Sequence, residues 1–134
     1  MATYVDGFLT PVPKKNVEKY REIAAAAGKI WMKHGALEFV ECMADDVKKG
    51  KWTSFPQAVQ QKAGETVFFS YIVYKSRAHR DRVLAKVMAD PYMVAHEGDP
   101  MPFDGKRMMW GGFAPILKLT AKKSKKATKA KKKK

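Results

Sequence analysis

The chain has 134 residues, of which 46% are hydrophobic and 30% charged. This composition is typical of one globular domain and excludes a disordered or fibrous chain. The formal net charge is +14, but ten of the 27 Lys and Arg residues and none of the 13 acidic residues lie in 118–134. Residues 1–117 therefore hold 17 basic and 13 acidic residues, a net charge of only +4. The strong basic character thus belongs to the C-terminal segment.

No membrane or secretory segment is predicted. The N-terminal residues have no basic region followed by an apolar stretch, and no apolar run approaches the roughly 20 residues needed to span a bilayer. The single cysteine, Cys42, excludes an intrachain disulfide and fits a reducing compartment. We therefore expect a cytoplasmic protein.

The first predicted element is a strand over 3–10, in which apolar and polar side chains alternate. Pro11 and Pro13 are expected to end it. A helix over about 14–33 follows, because apolar residues recur three and four positions apart. Gly35 is the expected helix stop, since glycine tolerates the left-handed conformation that often follows a helix.

The middle of the chain predicts two further strands, over 36–43 and 66–74. The second is rich in aromatic and β-branched residues and is the clearest strand in the sequence. The polar connection between them is expected to hold a short helical turn within 55–62. Ser76 suits the N-cap of a helix over about 77–89.

A loop rich in proline and glycine leads to the last predicted strand, over about 107–114. The order of elements is then β-α-β-β-α-β, which predicts an α+β, ferredoxin-like domain over 1–117. In that arrangement both helices cover one face of a four-stranded antiparallel sheet. The lysine-rich tail over 118–134 is expected to be disordered.

The other face of the sheet is expected to lack a helical cover. Alternation of side chains places Val5, Leu9, Val40, Cys42, Phe68, Ser70, Ile72, Met109, Gly111 and Phe113 on the helix side. The uncovered face would carry Tyr4, Phe8, Phe39, Phe69, Tyr71, Met108 and Trp110. A monomer rarely leaves such an apolar patch in water, so we expect a homodimer that packs sheet to sheet.

Two carboxylates, Asp6 and Glu41, are predicted to lie within this aromatic surface. Buried carboxylates need partners, and Arg107 and Lys106 are the nearest candidates in the chain. Asp6, Glu41 and Arg107 are therefore the candidate catalytic residues, the acids as proton-transfer groups and the arginine as an anion clamp. The candidate pocket residues are Tyr4, Phe8, Phe39, Tyr71, Met108 and Trp110. Plain dimer packing without a ligand, and purely structural hydrogen bonds for both acids, are the competing interpretations.

No metal or cofactor is predicted. His34, His79 and His96 share no metal-ligand spacing, and phosphate-loop, dinucleotide and serine-nucleophile motifs are absent. The lysines of 118–134 could bind polyanions through counterion release without reading sequence. Weak, non-specific contact with nucleic acid, DNA or RNA, is therefore one reading of the tail, and a solubilising extension is the other.

Several short segments together resemble the YbaA-like bacterial family of uncharacterised proteins. They include Tyr4-Val-Asp-Gly-Phe8, Asp90-Pro91, Met101-Pro-Phe-Asp-Gly-Lys-Arg-Met108 and Gly111-Gly-Phe113. The resemblance covers residues 3–117 and implies a dimeric α+β barrel, but it brings no established substrate or catalytic residue.

Two functions are therefore carried forward. One is the binding or conversion of a small aromatic or acidic metabolite in a cavity between paired sheets. The other is a non-catalytic dimeric module that contacts nucleic acid through its basic tail. The sequence leaves open whether the protein is an enzyme.

Overall fold

A computed structural model describes residues 3–121. The strands are β1 (Tyr4–Pro13), β2 (Glu38–Met43), β3 (Glu65–Tyr74) and β4 (Met109–Phe113), and the helices are α1 (Val17–Lys33), α2 (Phe55–Ala58), α3 (Arg77–Ala89) and α4 (Pro91–Ala95). The strands form one antiparallel sheet in the order β2-β3-β1-β4. The predicted ferredoxin-like α+β fold is confirmed.

The helix boundaries follow local signals in the sequence. α3 has the predicted bounds, and the hydroxyl of Ser76 caps it by accepting a 3.1 Å hydrogen bond from the backbone N–H of His79. Gly35 ends α1 with a φ of +112°. The loop predicted after α3 instead begins with α4. Pro91 suits the first turn of a helix, and the side chain of Asp90 caps α4 by accepting from the N–H of Tyr92 at 2.8 Å.

The prolines near the end of β1 do not end the strand, contrary to the prediction. Pro11 pairs with Val67 of β3, and Pro13 pairs with Glu65. β4 pairs only with residues 5–9 of β1, so both prolines lie where β1 has become an edge strand on its β4 side. An edge strand tolerates proline because no neighbouring strand needs the missing N–H there.

The predicted assignment of sheet faces is wrong for β1, β2 and β4 and right for β3. Asp6 pairs with Ile72, Phe8 with Ser70, and Glu41 also with Ser70. Paired residues share a face, and Ile72 and Ser70 lie under the helices. The corrected helix-side set is Tyr4, Asp6, Phe8, Phe39, Glu41, Phe68, Ser70, Ile72 and Trp110. Both acids find hydrogen-bond partners on this side, Asp6 from Arg80 of α3, and Glu41 from Tyr20 of α1 and Ser70 of β3.

The opposite side of the sheet is called the open face. It comprises Val5, Gly7, Leu9, Val40, Cys42, Phe69, Tyr71, Val73, Met109, Gly111 and Phe113. Phe69 is 48% exposed and Phe113 is 65% exposed. α2 covers only one end of this face, where Phe55 makes an edge contact with Phe69. An uncovered apolar sheet face was expected, and the structure has one, although most of its residues differ from those predicted.

None of the helices within residues 3–121 is long and apolar enough to cross a bilayer. Lys118 to Ala121, the start of the predicted lysine-rich tail, form an exposed chain without regular structure. The remaining residues of that tail, 122–134, lie outside the described part of the protein. The predicted domain boundary and the tail's role remain predictions.

Asp90 joins the end of α1 to the start of α4. Its Oδ2 lies 2.8 Å from Nε2 of His34 and 3.1 Å from Nζ of Lys33. The hydrogen bond with His34 is the largest cause that lowers the pKa of Asp90 from 3.8 to about 2. Because this pKa is lower in the folded state, the stability it contributes is present above pH 3.8 and is lost as the pH falls through 2.

We expect Asp90→Asn to lower the melting temperature near neutral pH, because it keeps a capping oxygen but removes the charge. The difference from the unmodified protein should shrink as the pH falls from about 4 to about 2. Circular-dichroism melting at several pH values measures this difference. Asp99→Asn, in the exposed loop after α4, is the control. A difference that stays constant over this pH range would contradict the prediction.

Candidate functional site

A cavity of about 200 Å³ lies between α1 and the helix-covered face of the sheet, and we call it the inner cavity. Its walls are mainly apolar and come from β1, α1, β2, β3 and the loop before β4, and they include the aromatic residues Phe8, Tyr20, Trp31, Phe39, Tyr71 and Phe103. The hydroxyls of Thr10, Tyr20 and Ser70 and the carboxylate of Glu41 are its polar groups. An apolar space with a few convergent polar groups is the usual form of a small-molecule site.

The packing of α1 against β2 shapes one wall of the inner cavity. Gly28 is buried on α1, and a Cβ at this position would lie 2.8 Å from Cδ1 of Phe39. Glycine therefore allows the Phe39 ring to lie directly against the helix. The same ring packs on Trp31, with ring centroids 5.8 Å apart, in the tilted arrangement that aromatic pairs favour.

Glu41 is the only charged residue that lines the inner cavity within the described chain. The hydroxyl of Tyr20 donates to its Oε1 at 2.8 Å, and the hydroxyl of Ser70 donates to the same oxygen. Oε2 has no hydrogen-bond donor among residues 3–121. The carboxylate is thus held by α1 and β3 through one oxygen, and its second oxygen can accept from another group.

Tyr20 acts as a hydrogen-bond donor at this site. Burial, followed by the nearby charge of Glu41, raises the pKa of the Tyr20 hydroxyl well above its ordinary value of 10.0. Its ring packs between Phe68 and Phe103, with centroid distances of 4.5 and 5.7 Å. The hydroxyl therefore stays protonated at physiological pH, and packing fixes its direction.

A larger groove of about 640 Å³ runs between α1 and β2, and we call it the outer groove. Tyr20, Ala24, Phe39 and Glu41 line both the outer groove and the inner cavity. Glu41 therefore stands where the two spaces meet.

Asp6 does not lie in the inner cavity. Its Oδ1 accepts from Nη1 of Arg80 at 2.7 Å, and the two residues are only 1% and 8% exposed. Burial raises the pKa of Asp6 above its ordinary value, and the charge of Arg80 opposes that rise. Arg80 also lies 5.0 Å from the centroid of the Tyr4 ring. This geometry is that of a buried structural ion pair, in line with the structural interpretation of Asp6.

Arg107 contacts neither Asp6 nor Glu41, so its predicted partners are wrong. Its guanidinium donates to both carboxylate oxygens of Glu65, at 2.8 and 2.7 Å, and to Oδ2 of Asp104 at 3.0 Å. It also donates to the backbone carbonyl of Gln60 at 3.0 Å. Arg107 thus fastens the turn before β4 to the start of β3. The predicted partner Lys106 likewise lies in that turn, where its backbone N–H donates to Asp104.

The predicted pocket residues divide between the two faces of the sheet. Phe8, Phe39, Tyr71 and Met108 line the inner cavity, as Glu41 does. Trp110 pairs with Phe8 on the helix side of the sheet but also borders a depression on the open face, and Tyr4 lies under Arg80. The structure therefore brings together five of the predicted site residues, but in a cavity under α1 and not between paired sheets.

Sequence reasoning missed Tyr20 and Ser70 as partners of Glu41. From the sequence, Tyr20 was placed only within the helix predicted over about 14–33, and Ser70 only as a helix-side residue of the third strand. A buried tyrosine hydroxyl normally needs a hydrogen-bond partner, and that was the available signal. Within residues 3–121 no cluster of His, Cys, Asp or Glu could hold a metal ion.

Residues 3–105 match the family described as "Protein of unknown function (DUF1428)". The chain belongs to the DUF1428 family. It is 48% identical over 114 residues to "Uncharacterized protein YbaA" of Escherichia coli (strain K12), which covers 85% of this chain and 97% of that protein. The Shigella flexneri protein of the same name matches equally well. The resemblance to the YbaA-like family is confirmed.

Two solved structures resemble the fold of this DUF1428 chain. A dimeric ferredoxin-like protein from an uncultured marine organism has a TM-score of 0.57 at 10% identity, covering 89% of this chain and all of that one. A putative antibiotic biosynthesis monooxygenase from Nitrosomonas europaea has a TM-score of 0.51 at 13% identity, covering 85% and 90%. At these identities the likeness establishes the fold alone.

The DUF1428 match includes every polar group of the inner cavity. It begins before β1 and ends at Gly105, so Glu41 and its partners all lie within it. Met108 and β4 lie beyond the matched range.

Proposed function

We propose that this DUF1428 protein binds a small aromatic molecule in the inner cavity and acts as a homodimer. The observation that carries the ligand proposal is the carboxylate of Glu41 at the wall of a mainly apolar cavity with several aromatic side chains, with one oxygen that no described residue donates to. Such polar groups fix the orientation of a ligand whose remaining surface is buried against apolar walls.

The size of the inner cavity favours a ligand with one ring. An apolar cavity of about 150 Å³ accommodates benzene, and the inner cavity measures about 200 Å³. A single aromatic ring with one or two small substituents fits this volume. A fused ring system of drug size needs a pocket of at least about 300 Å³.

The sequence leaves open an aromatic or an acidic metabolite as the ligand. The charge of the inner cavity argues against the acidic one. An acidic ligand would need a cationic partner, and the predicted one, Arg107, is engaged by Glu65 and Asp104 elsewhere. The Glu41 carboxylate would also repel an anion. These groups therefore disfavour an anionic ring, and a neutral ring that brings a hydrogen-bond donor is compatible with them.

We expect toluene and phenol to raise the melting temperature of the full chain by several degrees. A ligand at 100 times its Kd stabilises the native state by about 2.7 kcal/mol. Ala24→Leu, which adds a larger side chain to the cavity wall, should reduce the shift. Ala85→Leu, on an exposed position of α3, should leave it unchanged. Ligand-induced shifts in thermal denaturation measure both effects, and the absence of any shift in the unmodified protein would contradict the proposal.

The homodimer proposal rests on the open face. Its Phe69, Met109 and Phe113 are between 42% and 65% exposed, and they border one contiguous depression. Gly7 and Gly111 are paired at the floor of this depression, so side chains from another sheet could pack closely there. A second copy of the chain would remove this apolar surface from water.

A further inference from the structure

We infer that the ligand of the inner cavity is a neutral one-ring aromatic molecule with a hydroxyl group, which donates a hydrogen bond to Oε2 of Glu41. This inference rests on the proposed function and narrows its ligand class. It depends on how the hydrogen bonds are distributed over the two oxygens of one carboxylate.

An ionised carboxylate can accept about four hydrogen bonds, roughly two at each oxygen. At Glu41 both protein donors, Tyr20 and Ser70, are directed to Oε1. No donor among the described residues serves Oε2. Glu41 is only partly buried, so Oε2 can be served by water in the free protein, and a ligand hydroxyl that replaces this water keeps the hydrogen bond.

Glu41 is held in position before a ligand arrives. Tyr20 comes from α1 and Ser70 from β3, so two different elements fix one carboxylate. The raised pKa of Tyr20 keeps its hydroxyl a donor. A preorganised acceptor loses little conformational entropy on binding and therefore discriminates well between ligands.

The same geometry selects against close analogues of a phenol. A methyl ether has no donor, so it would displace water from Oε2 without replacing the lost hydrogen bond. A benzoate would bring a second negative charge next to Glu41. The free energy that a hydrogen bond to a charged group contributes is equivalent to a Kd roughly ten- to a hundredfold lower for the phenol than for its methyl ether.

The test compares the Kd values of phenol, anisole, toluene and benzoate for the full-length protein, measured by ligand-observed NMR titration. Phenol should bind at least about tenfold more tightly than anisole, and benzoate should bind most weakly. Glu41→Gln keeps the side-chain size but removes the charge, so the preference for phenol should fall to about threefold or less.

Glu38→Gln is the matched control, because Glu38 lies on the same strand but on the other face and is exposed. It should preserve the preference for phenol. If phenol, anisole and toluene bind equally well, or if Glu41→Gln keeps the full preference, the inference is overturned while the proposed function stands. If none of the four compounds binds the unmodified protein, the proposed function itself is overturned.

Discussion

Asp6→Ala is expected to destabilise the fold by about 3–5 kcal/mol, because it removes the buried partner of the Arg80 guanidinium and leaves only the exposed one. The two side chains are joined at 2.7 Å under α3 and are almost inaccessible to solvent. The loss also reaches Tyr74, whose pKa is raised by burial and by the charge of Asp6. Tyr74 in turn accepts a hydrogen bond of 3.1 Å from the indole nitrogen of Trp31.

Asp81→Ala is the matched control for this prediction. Asp81 pairs with the same arginine, through Nε at 2.9 Å, but its side chain is 60% exposed. Exposed pairs contribute about 1 kcal/mol or less. Urea unfolding of both variants compares the two free energies of unfolding. If both variants lose the same free energy of unfolding, the burial of the Asp6–Arg80 pair does not determine how much that pair stabilises the fold.

Phe69→Glu is expected to convert the proposed dimer into a monomer at micromolar concentration. Phe69 lies on β3, a central strand, and pairs with Leu9 on one side and Cys42 on the other. A glutamate there would place a charge from each copy in an apolar interface, where desolvation and repulsion both oppose association. Sedimentation velocity of the full chain measures the change.

Tyr92→Glu provides the comparison for the dimer test. Tyr92 is an aromatic residue on α4, 40% exposed, and lies on the helical side of the sheet. The variant should sediment as the unmodified protein does. A stable monomer for the unmodified protein would contradict the dimer proposal. A Phe69→Glu variant that remains dimeric would show that the copies associate through another surface.

The secondary structure was largely predictable from the sequence because its signals are local. The cap at Ser76, the glycine at position 35 and the apolar residues of β3 each act over a few positions. The missed α4 shows the limit of such signals, since Asp90-Pro91 can end one helix and begin the next. The prolines of β1 were wrongly predicted to end the strand. Whether a strand tolerates proline depends on whether a neighbouring strand pairs at that position, and here β4 ends before it reaches them.

The two faces of the sheet could not be assigned from the sequence. Alternation sorts the side chains of a strand into two sets, but it does not tell which set faces the helices. The acids were placed on the uncovered side, but their partners come from distant parts of the chain. Arg80 lies 74 positions after Asp6, and Tyr20 lies 21 positions before Glu41. The same lack of long-range information led to the wrong partners for Arg107. Contact between the lysine tail and nucleic acid remains a prediction.

The location of Glu41 at the junction of the outer groove and the inner cavity has a kinetic consequence. Tyr20 and Phe39 line both spaces together with Glu41, so a bound ring contacts the carboxylate and aromatic side chains at the same time. The hydrogen bond to Glu41 would then be lost only as the ligand leaves, so the discrimination between a phenol and its methyl ether should appear mainly in the dissociation rate constant.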